Sequence, residues 1–309
     1  MKTRSNLERV LEAGQFAVTG ELGPPQSADP EVIRTKAKIL KGNVDAVNVT
    51  DGQTAVVRMA SWAACVIGKQ EGLDHIVQMT CRDRNRIALQ MDVLGIAALG
   101  MNNLLCLTGD HQKFGNHPTA KGVYDLDSIQ LVKMVKDMRD EKKFQCGEDM
   151  AVEPRLFIGA AENPFADPFE FRVPRLAKKV AAGADFIQTQ IIYNVDKFAE
   201  WMKGVRDRGL HEQTKILAGV APIKSLGAAR YMKTRVPGMD VPDSVIERLQ
   251  GVPKEQVSKE GIKLCVDIIE QVREIEGVAG IHLMAIEWEE VVPEIVEAAG
   301  LLPRPRFVA

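Results

Sequence analysis

The chain has 309 residues, 45% hydrophobic and 27% charged, and its 40 Lys and Arg nearly balance 42 Asp and Glu. A formal charge of -2 leaves no electrostatic footprint for nucleic acid or an anionic membrane, and no apolar run approaches the roughly 20 residues that a membrane helix needs. This composition excludes a disordered chain, and the length suits a single domain over residues 1–309.

The first strand signal is Phe16 to Leu22, with Glu21 near its end, stopped by Gly23-Pro24-Pro25. Ser27 to Glu31 supplies a cap, a first-turn proline and an acid, and opens a helix through about Lys41. A second strand, Val44 to Thr50, is followed by an Ala-rich helix over about Val57 to Lys69. Ile76 to Cys81 is the third strand, and Asp83 is placed to cap a helix from about Arg84 to Leu99. The basic residues Arg82, Arg84 and Arg86 read as a solvated helix start.

Asn103-Leu104-Leu105-Cys106-Leu107-Thr108-Gly109-Asp110 is an apolar run too short for a helix, ending in a glycine and a carboxylate. That is how a buried parallel strand delivers a polar group to a rim. A long polar loop from His111 to Tyr124 follows, then a helix over about Leu126 to Lys136. Further strands are expected at Arg155 to Ala160, Phe186 to Gln190, Lys215 to Val220 and Gly280 to Ala285. Between and after them lie helices at about Phe169 to Ala182, from Asp196, Ser225 to Thr234, Asp243 to Leu249, Lys259 to Ile275 and Glu290 to Ala299.

Eight strand and helix units with short connections predict an α/β fold, a (β/α)8 TIM barrel, ahead of a doubly wound open sheet. Five scattered cysteines without a Cys-x-x-Cys pair, and an N-terminus without an apolar signal core, predict a reducing, cytoplasmic setting. A zinc site on Cys106, His111 and His117 is the sharper alternative for these residues, but the spacing matches no common pattern, so no metal is expected.

A barrel brings all strand C-termini to one face, so Glu21, Thr50, Gln78, Asp110, Glu162 and Gln190 are expected to ring one pocket. Such a ring can position and protonate a polar heterocycle without a metal, at a mouth with no basic cluster. The rigid Gly-Pro-Pro backbone after Glu21 could hold that carboxylate partly desolvated, as a general acid requires, or it could simply bond loop amides. His75, His211 and His282 are explained by surface or core packing. No glycine pattern supports a dinucleotide fold or a phosphate loop.

Taken in order, the strand ends resemble the methylenetetrahydrofolate reductase family. The matching motifs are Glu21-Leu22-Gly23-Pro24-Pro25, Val49-Thr50, Met79-Thr80-Cys81, Gly109-Asp110 and Ala182-Gly183-Ala184-Asp185 through Thr189-Gln190. The resemblance implies a flavin, FAD with FMN as the alternative, and hydride transfer to 5,10-methylenetetrahydrofolate to give 5-methyltetrahydrofolate. It also implies that Glu21 is the general acid toward folate N10, that Asp110 orients the pterin beside the flavin, and that Gln190 and Met232 contact substrate. Flavin contacts would fall on Thr50, Gln78, Thr108, Gly109, Tyr124, Asp125, Ala160, Asn163 and Lys179. NADH, NADPH or an electron-donating partner subunit would supply the electrons, in a homo-oligomer or a hetero-complex.

The chain departs from the family at Leu22 and Gly23 in place of two phenylalanines, at Ile191-Ile192-Tyr193 in place of an aromatic run, and at Thr108 in place of arginine. The family's histidine near Gln78 is also missing. Two other readings fit the same residues: a flavin-free pterin-binding methyltransferase or lyase, and a non-catalytic folate-binding subunit.

Overall fold

The structure, a computed structural model, describes residues 2–236 and 238–307. Eight strands, β1 (Ala17–Leu22), β2 (Ala46–Val49), β3 (His75–Thr80), β4 (Asn103–Leu107), β5 (Phe157–Glu162), β6 (Phe186–Ile191), β7 (Lys215–Val220) and β8 (Val278–Leu283), pair in parallel in chain order. β8 closes on β1, with Thr19 opposite His282. The expected (β/α)8 TIM barrel is therefore the observed fold.

The helices are α1 (Asn6–Glu12), α2 (Pro30–Leu40), α3 (Ser61–Lys69), α4 (Arg86–Ala98), α5 (Ser128–Asp140), α6 (Arg172–Ala182), α7 (Val195–Asp207), α8 (Leu210–Gln213), α9 (Leu226–Arg235), α10 (Asp243–Gln250), α11 (Val257–Arg273) and α12 (Val292–Ala298). No helix among the described residues is long and apolar enough to cross a membrane. Nearly every strand residue is buried, because one strand face packs on helices and the other fills the barrel.

Two apolar bodies result. Outward residues such as Val18, Val47, Val77 and Ile158 meet the helices. Inward residues Ala17, Ala46, Ile76, Leu105, Phe157, Phe186 and Leu217 form the barrel floor with Leu7, Val10 and Leu11 of α1. The Phe157 and Phe186 rings stack there with centroids 5.2 Å apart. Above this floor, toward the strand C-termini, the inward positions turn polar.

Several local expectations are corrected. α1 was not expected, yet its Leu7, Val10 and Leu11 follow the three-and-four spacing of a buried helical face. α4 is capped by Asn85, whose Oδ1 accepts the Ile87 and Ala88 N–H groups, while Asp83 pairs with Arg82. Of the basic cluster, only Arg86, exposed in the first turn of α4, is a solvated helix start; Arg82 and Arg84 are drawn inward. Arg82 donates to the Gly52 and Asp110 carbonyls, Arg84 to the Asp51 carboxylate at 2.7 Å, and Arg86 to Asp125. These three side chains staple the β2, β3 and β4 loops together.

Candidate active site

The barrel mouth opens into a cavity of about 370 Å³. Glu21 from β1, Gln78 from β3, Thr108 after β4, Asn163 after β5, Lys179 from α6 and Gln190 from β6 all line it, and each was expected at a site. Glu162, expected on the ring, lines it too. Leu107 and Met284 add apolar surface.

Thr50 and Asp110 are not brought to this cavity wall. Thr50 lies buried, and its hydroxyl donates to the Gln53 side chain. Asp110 is exposed, and its Oδ2 accepts the Thr54 N–H at 3.0 Å. That bond holds Thr54 and Ala55 in left-handed backbone, φ 56° for each. The His111 to Tyr124 loop then lies on this segment. Asn116 Oδ1 accepts the Val57 N–H, and Gly115 packs so closely that a Cβ there would sit 1.7 Å from the Ala55 carbonyl oxygen.

Other expected cofactor residues stand on the same rim. Gly109 has φ +92°, and a Cβ would meet Thr80 and Arg82 at 3.0 Å, so glycine is required there. The Tyr124 hydroxyl donates to the Asp110 carbonyl at 3.2 Å. Arg86 hydrogen-bonds Asp125 and holds its carboxyl well below the usual carboxylate range. Ala160 faces the helix layer, and Met232 Sδ lies 3.6 Å from the Tyr193 hydroxyl. Among the described residues, no group of three or more His, Cys, Asp or Glu is placed to hold a metal ion.

The mouth does contain a basic cluster, contrary to expectation. Arg172 and Arg175, in the first turn of α6, line the cavity beside Lys179. Lys179 donates to Glu162 Oε2 at 2.7 Å and to the Ala161 carbonyl. Burial pulls the Lys179 ammonium below the usual lysine range; Glu162 opposes this and the two arginines add to it. Arg172 Nε is buried without a hydrogen-bond partner among the described residues. Three cations against one paired carboxylate make this wall a receptor for an anion.

Sequence reading also missed the layer beneath the rim. Thr19, Asn48, Gln188 and His282 point inward one step below the strand ends and form one buried hydrogen-bonded group. Asn48, Gln188 and His282 also line the cavity. His282 is thus not merely packing: its Nε2 faces Glu21 Oε2 at 3.6 Å. The signal was the period of two, since Thr19 and Gln188 precede Glu21 and Gln190 by two residues. For Arg172 and Arg175 the signal was their place at the helix start after β5.

Comparison with known proteins gives a consistent result. The family model described as methylenetetrahydrofolate reductase matches residues 6–300. "Methylenetetrahydrofolate reductase 2" of Schizosaccharomyces pombe is 27% identical, over 82% of this chain and 40% of its own length. "Probable methylenetetrahydrofolate reductase (NADPH)" of Caenorhabditis elegans is 21% identical, over 96% of this chain and 44% of its own. The chain thus spans less than half the length of these two relatives. Among solved structures, an uncharacterized protein from Clostridium thermocellum, described as binding two copies of 5-methyl-5,6,7,8-tetrahydrofolic acid, superposes with a TM-score of 0.66 at 13% identity. It covers 96% of this chain and 98% of its own, a likeness of fold.

Proposed function

The chain belongs to the methylenetetrahydrofolate reductase family, and from that premise we propose that it is a single-domain, flavin-dependent reductase converting 5,10-methylenetetrahydrofolate to 5-methyltetrahydrofolate. The observation that carries this reading is the mouth cavity, where the Glu21 carboxyl, the Gln78 and Gln190 amides and a cationic wall face one space. The folate described in the Clostridium thermocellum neighbour supports the substrate class.

The residues present fit a flavin. Arg172, Arg175 and Lys179 match a phosphate-bearing tail, and the buried, unpartnered Arg172 Nε is a donor in want of an acceptor. Gln78 and Thr108 can hydrogen-bond a heterocycle edge, and Leu107 can pack on its face. Asn163 and the rim of Thr50, Gly109, Tyr124 and Asp125 would complete the holding residues, while Ala160, whose side chain faces the helix layer, would contribute backbone only. When bound, a flavin supplies hydride chemistry that no side chain here supplies.

The chain's own residues perform the remaining work. Glu21 would hold a proton toward folate N10 and release it there, so that the five-membered ring opens to an iminium. Gln190, whose Oε1 accepts the Ile191 N–H at 2.9 Å, keeps its NH2 free to donate to the pterin. Asp110 would reach the pterin by turning away from Thr54, and Met232 would flank folate or nicotinamide. NADH or NADPH is the proposed donor; the name of the Caenorhabditis elegans relative carries NADPH. An electron-donating partner subunit is the other source, and the cytoplasm the proposed setting.

The purified chain, as isolated or after reconstitution with FAD or FMN, should show flavin absorbance, and chromatography of the released cofactor identifies which. Absence of binding to both would sink the proposal. Anaerobic mixing with NADH, NADPH and reduced viologen then identifies the donor. Glu21→Gln should spare flavin reduction and slow folate turnover about 10²–10⁴-fold; unchanged turnover removes Glu21 from the acid role.

A further inference from the structure

The buried polar group below the rim assigns a role to His282. The ring is 3% exposed and sits on β8 between β1 and β7, with Thr19 and Gly219 as its register partners. Nδ1 lies 3.0 Å from Thr19 Oγ1. Nε2 lies 3.5 Å from Asn48 Nδ2 and 3.6 Å from Glu21 Oε2.

The hydrogen count of the network assigns the tautomer. Gln188 Nε2 donates to Asn48 Oδ1 at 3.1 Å and to Thr19 Oγ1 at 3.2 Å. Asn48 Nδ2 donates to Gln188 Oε1 at 2.5 Å and stands 3.5 Å from His282 Nε2, at the outer limit of a hydrogen bond. The Thr19 oxygen accepts from Gln188, and its hydroxyl hydrogen has its nearer acceptor in His282 Nδ1, 3.0 Å away against 3.3 Å for the Ile281 carbonyl. The ring proton then sits on Nε2, where Glu21 Oε2 at 3.6 Å is the facing acceptor.

We propose that His282 is a positioning residue: its Nε2–H faces Oε2, the carbonyl oxygen of the Glu21 carboxyl, so that the acid's proton is carried on Oε1, the oxygen presented to substrate. The Thr19–Asn48–Gln188 group fixes the ring, and the ring fixes the acid. At 3.6 Å the contact is longer than a hydrogen bond and orients the carboxyl electrostatically. The proposal rests on the reading of Glu21 as proton donor, and its test separates the two.

Two substitutions divide the ring's contacts. His282→Asn retains a polar atom near Nδ1 for Thr19 but none near Nε2; His282→Gln retains one near Nε2. In the flavin-loaded chain, His282→Asn should lower kcat for folate reduction about 10²-fold with KM little changed, as expected for a misplaced catalytic group. His282→Gln should recover most of that loss, and flavin reduction by the donor should be unaffected in both. In a Glu21→Gln background, His282→Asn should have almost no further effect, because the residue acts through Glu21.

An independent measurement is made on the chain without cofactor, where long-range ¹⁵N NMR reads the two ring nitrogens. Glu21→Gln should move the His282 Nε2 resonance and leave Nε2 the protonated nitrogen. Equal losses from His282→Asn with and without Glu21, or an Nε2 resonance blind to Glu21→Gln, would overturn the proposal. If the flavin-loaded chain turns over no folate at all, the reductase reading falls, and the Nε2 resonance alone decides whether His282 engages Glu21.

Discussion

At the scale of single residues, burial decides which groups respond to pH. His75 on β3 is 2% exposed, its Nδ1 faces the Leu73 carbonyl at 3.1 Å, and its Nε2 has no partner among the described residues. Burial pulls the imidazole down to about 4 from its ordinary 6.5. A depressed histidine is neutral in the fold and takes up a proton on unfolding, so stability is full above pH 6.5 and falls as pH drops toward 4. The neighbouring Asp74 carboxyl, raised by burial, acts in the opposite sense. The His75 contribution is therefore read as a difference. Between pH 7 and 4.5 the chain should lose about 2 kcal/mol more unfolding free energy in urea than His75→Leu. Equal pH slopes would show that His75 does not carry the effect.

At the scale of elements, capping connects helix stability to the cavity. α5 begins with a reciprocal cap: Asp127 Oδ1 accepts the Gln130 N–H at 2.8 Å, and Gln130 Oε1 accepts the Asp127 N–H at 2.9 Å. The next N–H, of Ser128, donates to Thr108 Oγ1 at 3.1 Å, so the helix start also orients a cavity-lining hydroxyl. Asp127→Ala should destabilise the chain by about 1 kcal/mol in chemical denaturation. Loss of flavin affinity beyond that would place Thr108 among the cofactor's partners. α6 works differently: it carries Arg172, Arg175 and Lys179 to the rim, and the buried Lys179–Glu162 pair ties the helix to the end of β5.

At the scale of the whole molecule, the two ends of the barrel differ in chemistry. The floor is apolar and plugged by α1, whose Leu7 is fully buried against the inward residues of the strands. Leu7→Ala should destabilise the chain by about 2–5 kcal/mol, measured as a shift in denaturation midpoint, with the barrel's circular dichroism retained in native buffer. A smaller change would mean that α1 does not seal the floor. The C-terminal tail adds a second tie, since Arg304 reaches Asp45 at 2.5 Å and the Phe16 carbonyl at 2.7 Å, joining the end of the chain to the start of the barrel. With floor and termini held, the mouth is free to be polar.

Much of this was legible in the order of residues. The period of two, the eight alternating units and the turn residues after each strand specify a parallel barrel, and a barrel places Glu21, Gln78, Glu162 and Gln190 on one rim. These are local signals, set by backbone geometry over a few residues. Three features were not legible. They are the seating of Asp110 on Thr54, the approach of Arg172 and Arg175 to Lys179, and the contact between His282 and Glu21. The first and third join residues distant in the chain, through strand register and closure of β8 on β1; the second joins neighbours on α6, and the tilt at which that helix returns over the rim turns them to the cavity. Sequence alone determined the fold and the strand-end polar residues; tertiary structure alone decided which of them face the cavity and what stands behind the acid.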